Sequence, residues 1–540
     1  MESPADAPVA GGLSIYIRTA ALVAAVIIVH HLLKSPSNNK HAVLPAWVPL
    51  EIFIASSCIQ AGGIWLRMLT SLRQHSGALF GLAKSHQLIH NLAGIDRLLA
   101  SPHHVLSTEP IGWSILVRVF GVANLPALRA RLIAANKELF AAVERNFLHE
   151  GNALAAIHAA AIPSKASALV TLAPNQPLQP WEHAATAAAA EVDLFALVRD
   201  FGAALTLPLL YGHDFSTPAL LADFWAFDHN AFALLAAGLP SWLPLPALRR
   251  GLAARRRLHA ALTDLYARLE ADAAALTDVG PVVRERCAAY AKHDVPLRYR
   301  GQIDLALLWA ANANTQPLVG WLVVYIYATP GLLSSLRAET APHVHLSADG
   351  MQITAIDHAG LARECPRLKS ALLETMRTAS ASSSLRYVAR PVTVPDGPRE
   401  HVLPPDTFIS VPHGLAQMDG ALFPDPRAFV PERFVVDAEP ERSEDKGRSE
   451  GSEGSGGNPR KTTTRYGSLR PWGGGAGMCK GRVFAEKEIL AVVAAVINLW
   501  EFTPVGAEWH VPTMLPGTGV MRPRGDVRVV VTRRGEGVGA

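Results

Sequence analysis

Between residues 124 and 324 apolar positions recur every three to four residues, as in 130–143, 181–207 and 253–276. That spacing predicts a long, helix-dominated body. After residue 380 the texture changes: 385–395, 401–412 and 527–532 carry short β-type runs broken by Pro, Gly and Asp, which predict small sheets packed beside the helices. The fold class expected is therefore mainly α with small β-sheets (α+β). Residues 437–464 are crowded with Glu, Ser, Gly, Arg and Lys and almost lack apolar side chains, the composition of a disordered surface insertion.

Near the N-terminus, residues 14–33 form a stretch whose middle, 20–29, is wholly apolar. At about 1.5 Å per residue, a helix of that length crosses roughly 30 Å of hydrocarbon. Arg18 lies near one end, where it can snorkel; Glu2 and Asp6 precede the run, and Lys34 and Lys40 follow it. The positive-inside rule then places the bulk of the chain in the cytosol. The expected layout is a tail over 1–13, a transmembrane anchor over 14–33, a linker over 34–44 and one folded unit over 45–540. A buried helix or a signal peptide is the alternative, although a basic n-region and a small-residue cleavage site are missing. A second apolar run, 52–66, is short for a span and predicts a core or interfacial helix. The loop 238–246, with Trp242, precedes Arg249, Arg250, Arg255, Arg256 and Arg257; it reads either as a surface resting on anionic lipid or as a solvated helix connection.

Composition narrows the function. The chain has 540 residues, 49% hydrophobic and 18% charged, so it can bury a large core and is not a disordered partner peptide. The net charge of +4 is spread without a long basic tract, so nothing points to nucleic acid. Cys58, Cys287, Cys365 and Cys479 sit far apart, with no CxxC pair or disulfide framework, which favours a reducing compartment.

Chemistry concentrates in Arg470-Pro471-Trp472-Gly473-Gly474-Gly475-Ala476-Gly477-Met478-Cys479-Lys480-Gly481-Arg482, followed by a helical pattern over 483–499. The glycines allow close backbone approach. A thiol where a helix begins meets unpaired N–H groups and the positive end of the dipole, which favour thiolate. A thiolate held by a glycine loop suits a haem iron as axial ligand; a glycine-rich turn with a structural cysteine is the bland alternative.

Here the sequence resembles the cytochrome P-450 haem-thiolate enzymes, whose cysteine loop has an aromatic seven residues before Cys, a Gly four before and a Gly two after. Those positions are Trp472, Gly475 and Gly481, with Trp in place of the more usual Phe. Glu374-Thr375-Met376-Arg377 matches the family's Glu-x-x-Arg helix motif, with both side chains on one face. Phe423-Pro424-Asp425-Pro426 and Pro431-Glu432-Arg433-Phe434 match the segment supplying the third member of that cluster, Arg433; by resemblance Glu374, Arg377 and Arg433 are structural. The oxygen-activating helix is expected over 305–327, with Ala311-Asn312-Ala313-Asn314-Thr315 inside it. Thr315 matches the family's proton-relaying threonine, Asn312 stands for its Gly and Asn314 for its acid. Pro317 should kink the helix nearby. An Asn-Thr pair followed by Pro looks most like the branch of the sterol hydroxylases and prostacyclin synthase.

The resemblance implies the cytochrome P-450 fold, haem b bound through Cys479, and a haem-thiolate monooxygenase acting on a hydrophobic sterol, terpenoid or polyketide-like substrate, possible in specialised metabolism. Electrons would come from NADPH through cytochrome P-450 reductase, as the chain carries no flavin or nicotinamide fingerprint. The expected setting is a single-pass endoplasmic-reticulum membrane protein with a cytosolic catalytic domain. Thr315 and Asn314 are the candidate catalytic residues. Cys479, Arg386, Trp472 and Gly475 are the candidate haem-binding residues, Arg386 for a propionate, with Arg390 a lesser candidate. Gly477 stands where the family commonly puts Arg or His. Trp309, Asn312, Ser383 and Thr518 are candidate substrate contacts, and Lys480, Arg482 and Lys487 form either a reductase-docking face or a solvated helix face. Two other readings stay open: a reductase-independent isomerase or dehydratase acting on peroxides, because Asn314 cannot release a proton, and a non-enzymatic haem-binding protein.

Overall fold

A computed structural model describes residues 71–438 and 462–535, apart from 74, 76, 84, 85, 174, 275, 507 and 516–518. The expected anchor at 14–33, the linker, the run at 52–66, most of the polar insertion and Thr518 lie outside the described residues. The ends of that insertion differ from expectation. Val435 to Asp437 pairs antiparallel with Thr462 to Thr464, so Asp437 and Thr462–Thr464, expected within it, lie in strands. The β-branched Val and Thr at its edges favour the extended ladder over a loose coil.

The helices that frame the site are, in chain order, α1 (Ile95–Leu99), α2 (Pro126–Phe147), α3 (Leu194–Tyr211), α4 (Pro218–Phe227), α5 (Pro246–Ala271), α6 (Leu297–Asn312), α7 (Thr315–Ala328), α8 (Pro366–Ala379) and α9 (Arg482–Leu499). Proline opens α2, α4, α5 and α8, where its missing N–H costs nothing and its fixed φ suits the first turn. The helix expected across 181–207 starts only at Leu194. Glu182–Ala185 and Ala189–Asp193 are instead paired strands, and the latter alternates buried Ala190 and Val192 with half-buried neighbours. Asp193 then caps α3, accepting from the amides of Phe195 (2.9 Å) and Ala196 (3.3 Å), which fixes where strand gives way to helix.

The helix expected over 305–327 is two helices, α6 and α7, separated at Ala313–Asn314. Pro317 has no N–H to offer the Ala313 carbonyl and its ring crowds that carbonyl, so the ladder opens four residues ahead of the proline. The second half is buried from Leu318 to Ile326, whereas the first is buried along one side. Gly202 on α3 lets Gln316 cross in front of it: a Cβ there would meet Gln316 Oε1 at 1.6 Å.

Strands Leu79–Ala83, His86–Ile89, Thr407–Pro412, Ser383–Val388 and Leu106–Ser107 form one sheet in that order, and Trp500–Pro504, Arg528–Arg533, Ala189–Asp193 and Glu182–Ala185 form a second. One continuous apolar core runs from Trp113 to Val531. α7 from Leu318 to Ile326 and α9 from Ile489 to Leu499 are buried at every position, as expected of helices apolar all round. Among the described residues one unbroken helix, α3, is long and apolar enough to cross a membrane, and 67% of it is buried within the protein.

Candidate active site

The cysteine loop is closed on itself and seated on α1. The Cys479 amide donates to the Trp472 carbonyl (3.0 Å), and Arg482 Nη1 donates to the Cys479 carbonyl (3.0 Å). Gly475 has φ +59°, and a Cβ there would lie 1.9 Å from the Leu99 carbonyl oxygen; both the backbone conformation and the approach to α1 require glycine. Trp472 is half-buried, and its Nε1 donates to the Tyr466 hydroxyl (3.3 Å). That hydroxyl donates to Glu486 (2.6 Å), which also pairs with Lys369 (2.6 Å). The indole is therefore held in one orientation by a chain of polar contacts.

Cys479 is exposed while Cys365 is buried. Burial pushes the Cys365 thiol up to about 12 and also raises Cys287. At Cys479 crowding by protein raises the thiol as well, opposed by the Gly481 amide and by the charges of Arg482 and Lys480. The residue is exposed, yet protein crowds its thiol. The expected bias toward thiolate is thus outweighed by burial, because α9 begins at Arg482 and its dipole acts from three residues away. Lys480 and Lys487 are engaged with Glu144 (2.7 Å) and Glu150 (2.5 Å).

Beneath the loop, α8 carries a buried charge cluster. Arg377 grips Glu374 through two parallel bonds, Nε to Oε2 (2.8 Å) and Nη2 to Oε1 (2.7 Å), and both side chains are fully buried. Arg433 Nε adds bonds to both carboxylate oxygens (3.0 and 3.1 Å) and the Val430 amide donates a further one (2.9 Å). The remaining donors of Arg377 reach the carbonyls of Gln417, Pro426 and Ala428. One carboxylate thus gathers two guanidiniums and the chain segment 417–433, giving the pair the partners that burial demands.

At the break above, Thr315 is buried at the first position of α7. Asn314 Oδ1 accepts from the Val520 amide (3.3 Å), so its free end is the NH2 donor. Asn312 is fully buried; its Nδ2 donates to the Leu308 carbonyl (2.9 Å), while Oδ1 has no partner among the described residues. Trp309, half-buried, stacks on Phe232 (4.1 Å between centroids, 8° between planes) and meets Phe120 edge-on at 6.2 Å. Ser383 is half-buried at the start of its strand, opposite Pro412.

The cytochrome P450 family model matches residues 304–530, the stretch that holds the broken helix, the charge cluster and the cysteine loop. Those residues match a cytochrome P450 domain. A "Cytochrome P450 monooxygenase" of Gibberella zeae is 25% identical over 62% of this chain and 61% of that protein. The "Cytochrome P450 monooxygenase poxD" of Penicillium oxalicum is 27% identical over 55% of this chain and 54% of that protein. Among sterol hydroxylases, the "Cholesterol 7-alpha-monooxygenase" of Cricetulus griseus is 26% identical over 42% of this chain and 44% of that protein. The chain therefore spans less than two thirds of the length of these curated relatives.

Members of the cytochrome P450 superfamily bind haem b, and the donor set here fits it. Cys479 offers an accessible sulfur on a loop whose glycines leave a flat approach. Arg386 is a buried cation whose side-chain hydrogen bonds among the described residues all go to carbonyls, those of Leu385 (2.8 Å), Leu99 (3.3 Å) and Gly474 (2.8 Å). A guanidinium without a carboxylate beside it suits a propionate. It also lies against Gly477, where a Cβ would come 3.1 Å from Nη1; the glycine makes room for Arg386 at the place where cytochrome P450 relatives commonly carry their own cation.

Two groups escaped the sequence reading. Asp228, buried in a π-helical turn after α4, accepts from Trp309 Nε1 (2.8 Å) and from Arg522 Nη2 (2.6 Å). Glu488 on α9 is buried, accepts from Thr206 Oγ1 (2.9 Å), and is raised to about 7, chiefly by burial. The signal available was a lone acid inside an apolar run, which does not name its partner.

Proposed function

We propose that this chain is a haem-thiolate monooxygenase that inserts one oxygen atom into a hydrophobic substrate of sterol, terpenoid or polyketide type. Electrons would be drawn from NADPH through a flavoprotein reductase. The reading is carried by one observation, the exposed Cys479 on a glycine loop seated against α1; the helix pair broken at Ala313–Asn314 is in keeping with it. The names of the similar proteins, fungal monooxygenases and a cholesterol hydroxylase among them, support the substrate class. A specialised-metabolite role and an endoplasmic-reticulum anchor at 14–33 complete the proposal.

Haem b with a cysteinate ligand supplies the activation of dioxygen. The chain's own residues supply the rest. Cys479 is the ligand, and Trp472 and Gly475 shape its loop. Arg386 neutralises a propionate, while Glu374, Arg377 and Arg433 hold the underlying chain rigid. Trp309, Phe232 and Phe120 form an aromatic wall that excludes water. The Thr315 hydroxyl, able both to donate and to accept, passes protons at the helix break. Asn314, its oxygen accepting from Val520, holds a water through its NH2 group but supplies no proton itself, because a carboxamide does not ionise at neutral pH.

The amide standing where an acid is expected favours one second reading, a reductase-independent isomerase or dehydratase acting on lipid peroxides. Turnover of a trial sterol that requires both NADPH and reductase supports the monooxygenase. Turnover of a lipid hydroperoxide with neither present supports the alternative.

A further inference from the structure

Asp228 sits at an unusual place. The helix α4 widens into a π-turn over Asp228–Phe232, a geometry concentrated at functional sites, and this turn brings Phe232 against Trp309 and Asp228 onto its indole N–H. Burial raises the Asp228 carboxyl, and Arg522, Trp309 and Arg199 work against that rise. Of the two cations, Arg199 is occupied: it grips Asp200 through Nε (2.9 Å) and Nη2 (3.2 Å) and lies over Trp225. His229, also adjacent, is pushed down to about 3, mainly by burial, and stays neutral.

Arg522 differs. Among the described residues its one hydrogen bond runs from Nη2 to Asp228 Oδ2, and its side chain keeps 35% exposure. The short strap that carries it is fixed over the oxygen helix. Val520 donates to Asn314, Ala381 donates to the Gly519 carbonyl (2.7 Å), and Trp321 donates to the Met521 carbonyl (2.8 Å). The strap therefore touches the helix break at one end and Asp228 at the other, with Trp309 between them. Nearby on the same helix, the fully buried Asn312 Oδ1 has no partner among the described residues.

We infer that Arg522, oriented by Asp228, is a specificity-determining residue that hydrogen-bonds an acceptor oxygen of the substrate, a keto or carboxylate oxygen remote from the carbon to be oxidised. Trp309 and Thr315 are six positions apart across the α6–α7 break, about 9 Å at the helical rise, so the anchored oxygen lies on the order of 10 Å from the reaction centre. An apolar body held against the Trp309 and Phe232 rings and one oxygen held by Arg522 fix which carbon is presented. Asp228 acts as a positioning residue, holding one edge of the guanidinium and leaving the other for the ligand.

The inference rests on the haem-thiolate reading, and a binding measurement separates the two. Imidazole-headed chains of about six to twelve carbons, bracketing that distance, are titrated into the ferric holoenzyme and followed by the azole shift of the Soret band. Each chain ends in carboxylate, methyl ketone or plain alkyl. At one length the oxygen-ended probes should bind about tenfold more tightly than the alkyl probe, the increment of one charge-assisted hydrogen bond. Arg522→Leu should abolish that increment, Arg522→Lys should retain part of it, and Asp228→Asn should reduce it. Unsubstituted imidazole should bind all four proteins within about twofold, reporting an intact pocket. An increment that survives Arg522→Leu, or none at any length in the wild type, overturns the inference. Absence of any azole shift in the wild type instead contradicts the haem-thiolate reading, and the inference falls with it.

Discussion

At the scale of single residues, the account depends on groups that have no room to change. Gly475 meets both a left-handed backbone and the Leu99 carbonyl, whereas Gly481 has φ outside that region and open space where a Cβ would go. Gly475→Ala should therefore displace the loop from α1 and lower the haem-loaded fraction several-fold, read as the ratio of Soret to protein absorbance. Gly481→Ala should leave that ratio close to wild type; equal losses would contradict the geometry. Arg377→Met strips the buried Glu374 of its bidentate partner and should destabilise the fold by about 3–5 kcal/mol, measured in urea unfolding of the purified protein. The cysteine loop and the Glu374–Arg377 pair were legible because each lies within one short segment whose spacing is visible in the chain. Asp228 and Arg522 were not, since 294 residues separate them and neither carries a local pattern.

At the scale of elements, the break between α6 and α7 was readable from Pro317 alone, because the proline's steric demand on the fourth residue back is local. The strands at 182–193 were not. Alanine-rich sequence satisfies a helical period and a strand period alike, and pairing with Arg528–Arg533 decides between them from far along the chain. The seam of α3, α7 and α9 was equally hidden: Glu488 lies there beside Thr206 and Gln316, and burial raises its carboxyl from 4.5 to about 7. A raised folded pKa means that the folded protein binds the proton more tightly than the unfolded chain. Stability is therefore lost as pH rises from about 4.5 through 7, by on the order of 3 kcal/mol at full ionisation. Glu488→Gln should unfold at about the wild-type midpoint at pH 5 and at a higher midpoint at pH 8, by thermal scans at a fixed rate. A variant no more resistant than wild type at pH 8 would show that the carboxyl is not held up by burial.

At the scale of the whole molecule, the main apolar cluster from Trp113 to Val531 and a second one containing Leu99 hold three distant segments in register: the oxygen helix, the Glu374 cluster and the Cys479 loop. The mainly α class with small sheets could be read from the change in hydrophobic period near residue 380. The surface could not, since Lys480 and Lys487, read as either a docking face or a solvated helix face, pair with Glu144 and Glu150 from segments over 300 residues away. The described cysteines differ in environment: Cys365 is buried with a thiol held up to about 12, whereas Cys479 is exposed. The central claim is that Cys479 is the haem ligand. It is tested most directly by the carbon-monoxide difference spectrum of the reduced protein, wild type against Cys479→Ala. The wild type should give the thiolate band at about 450 nm, and the variant should lack it. A haem-loaded wild type without that band, or a band that persists in the variant, would contradict the account.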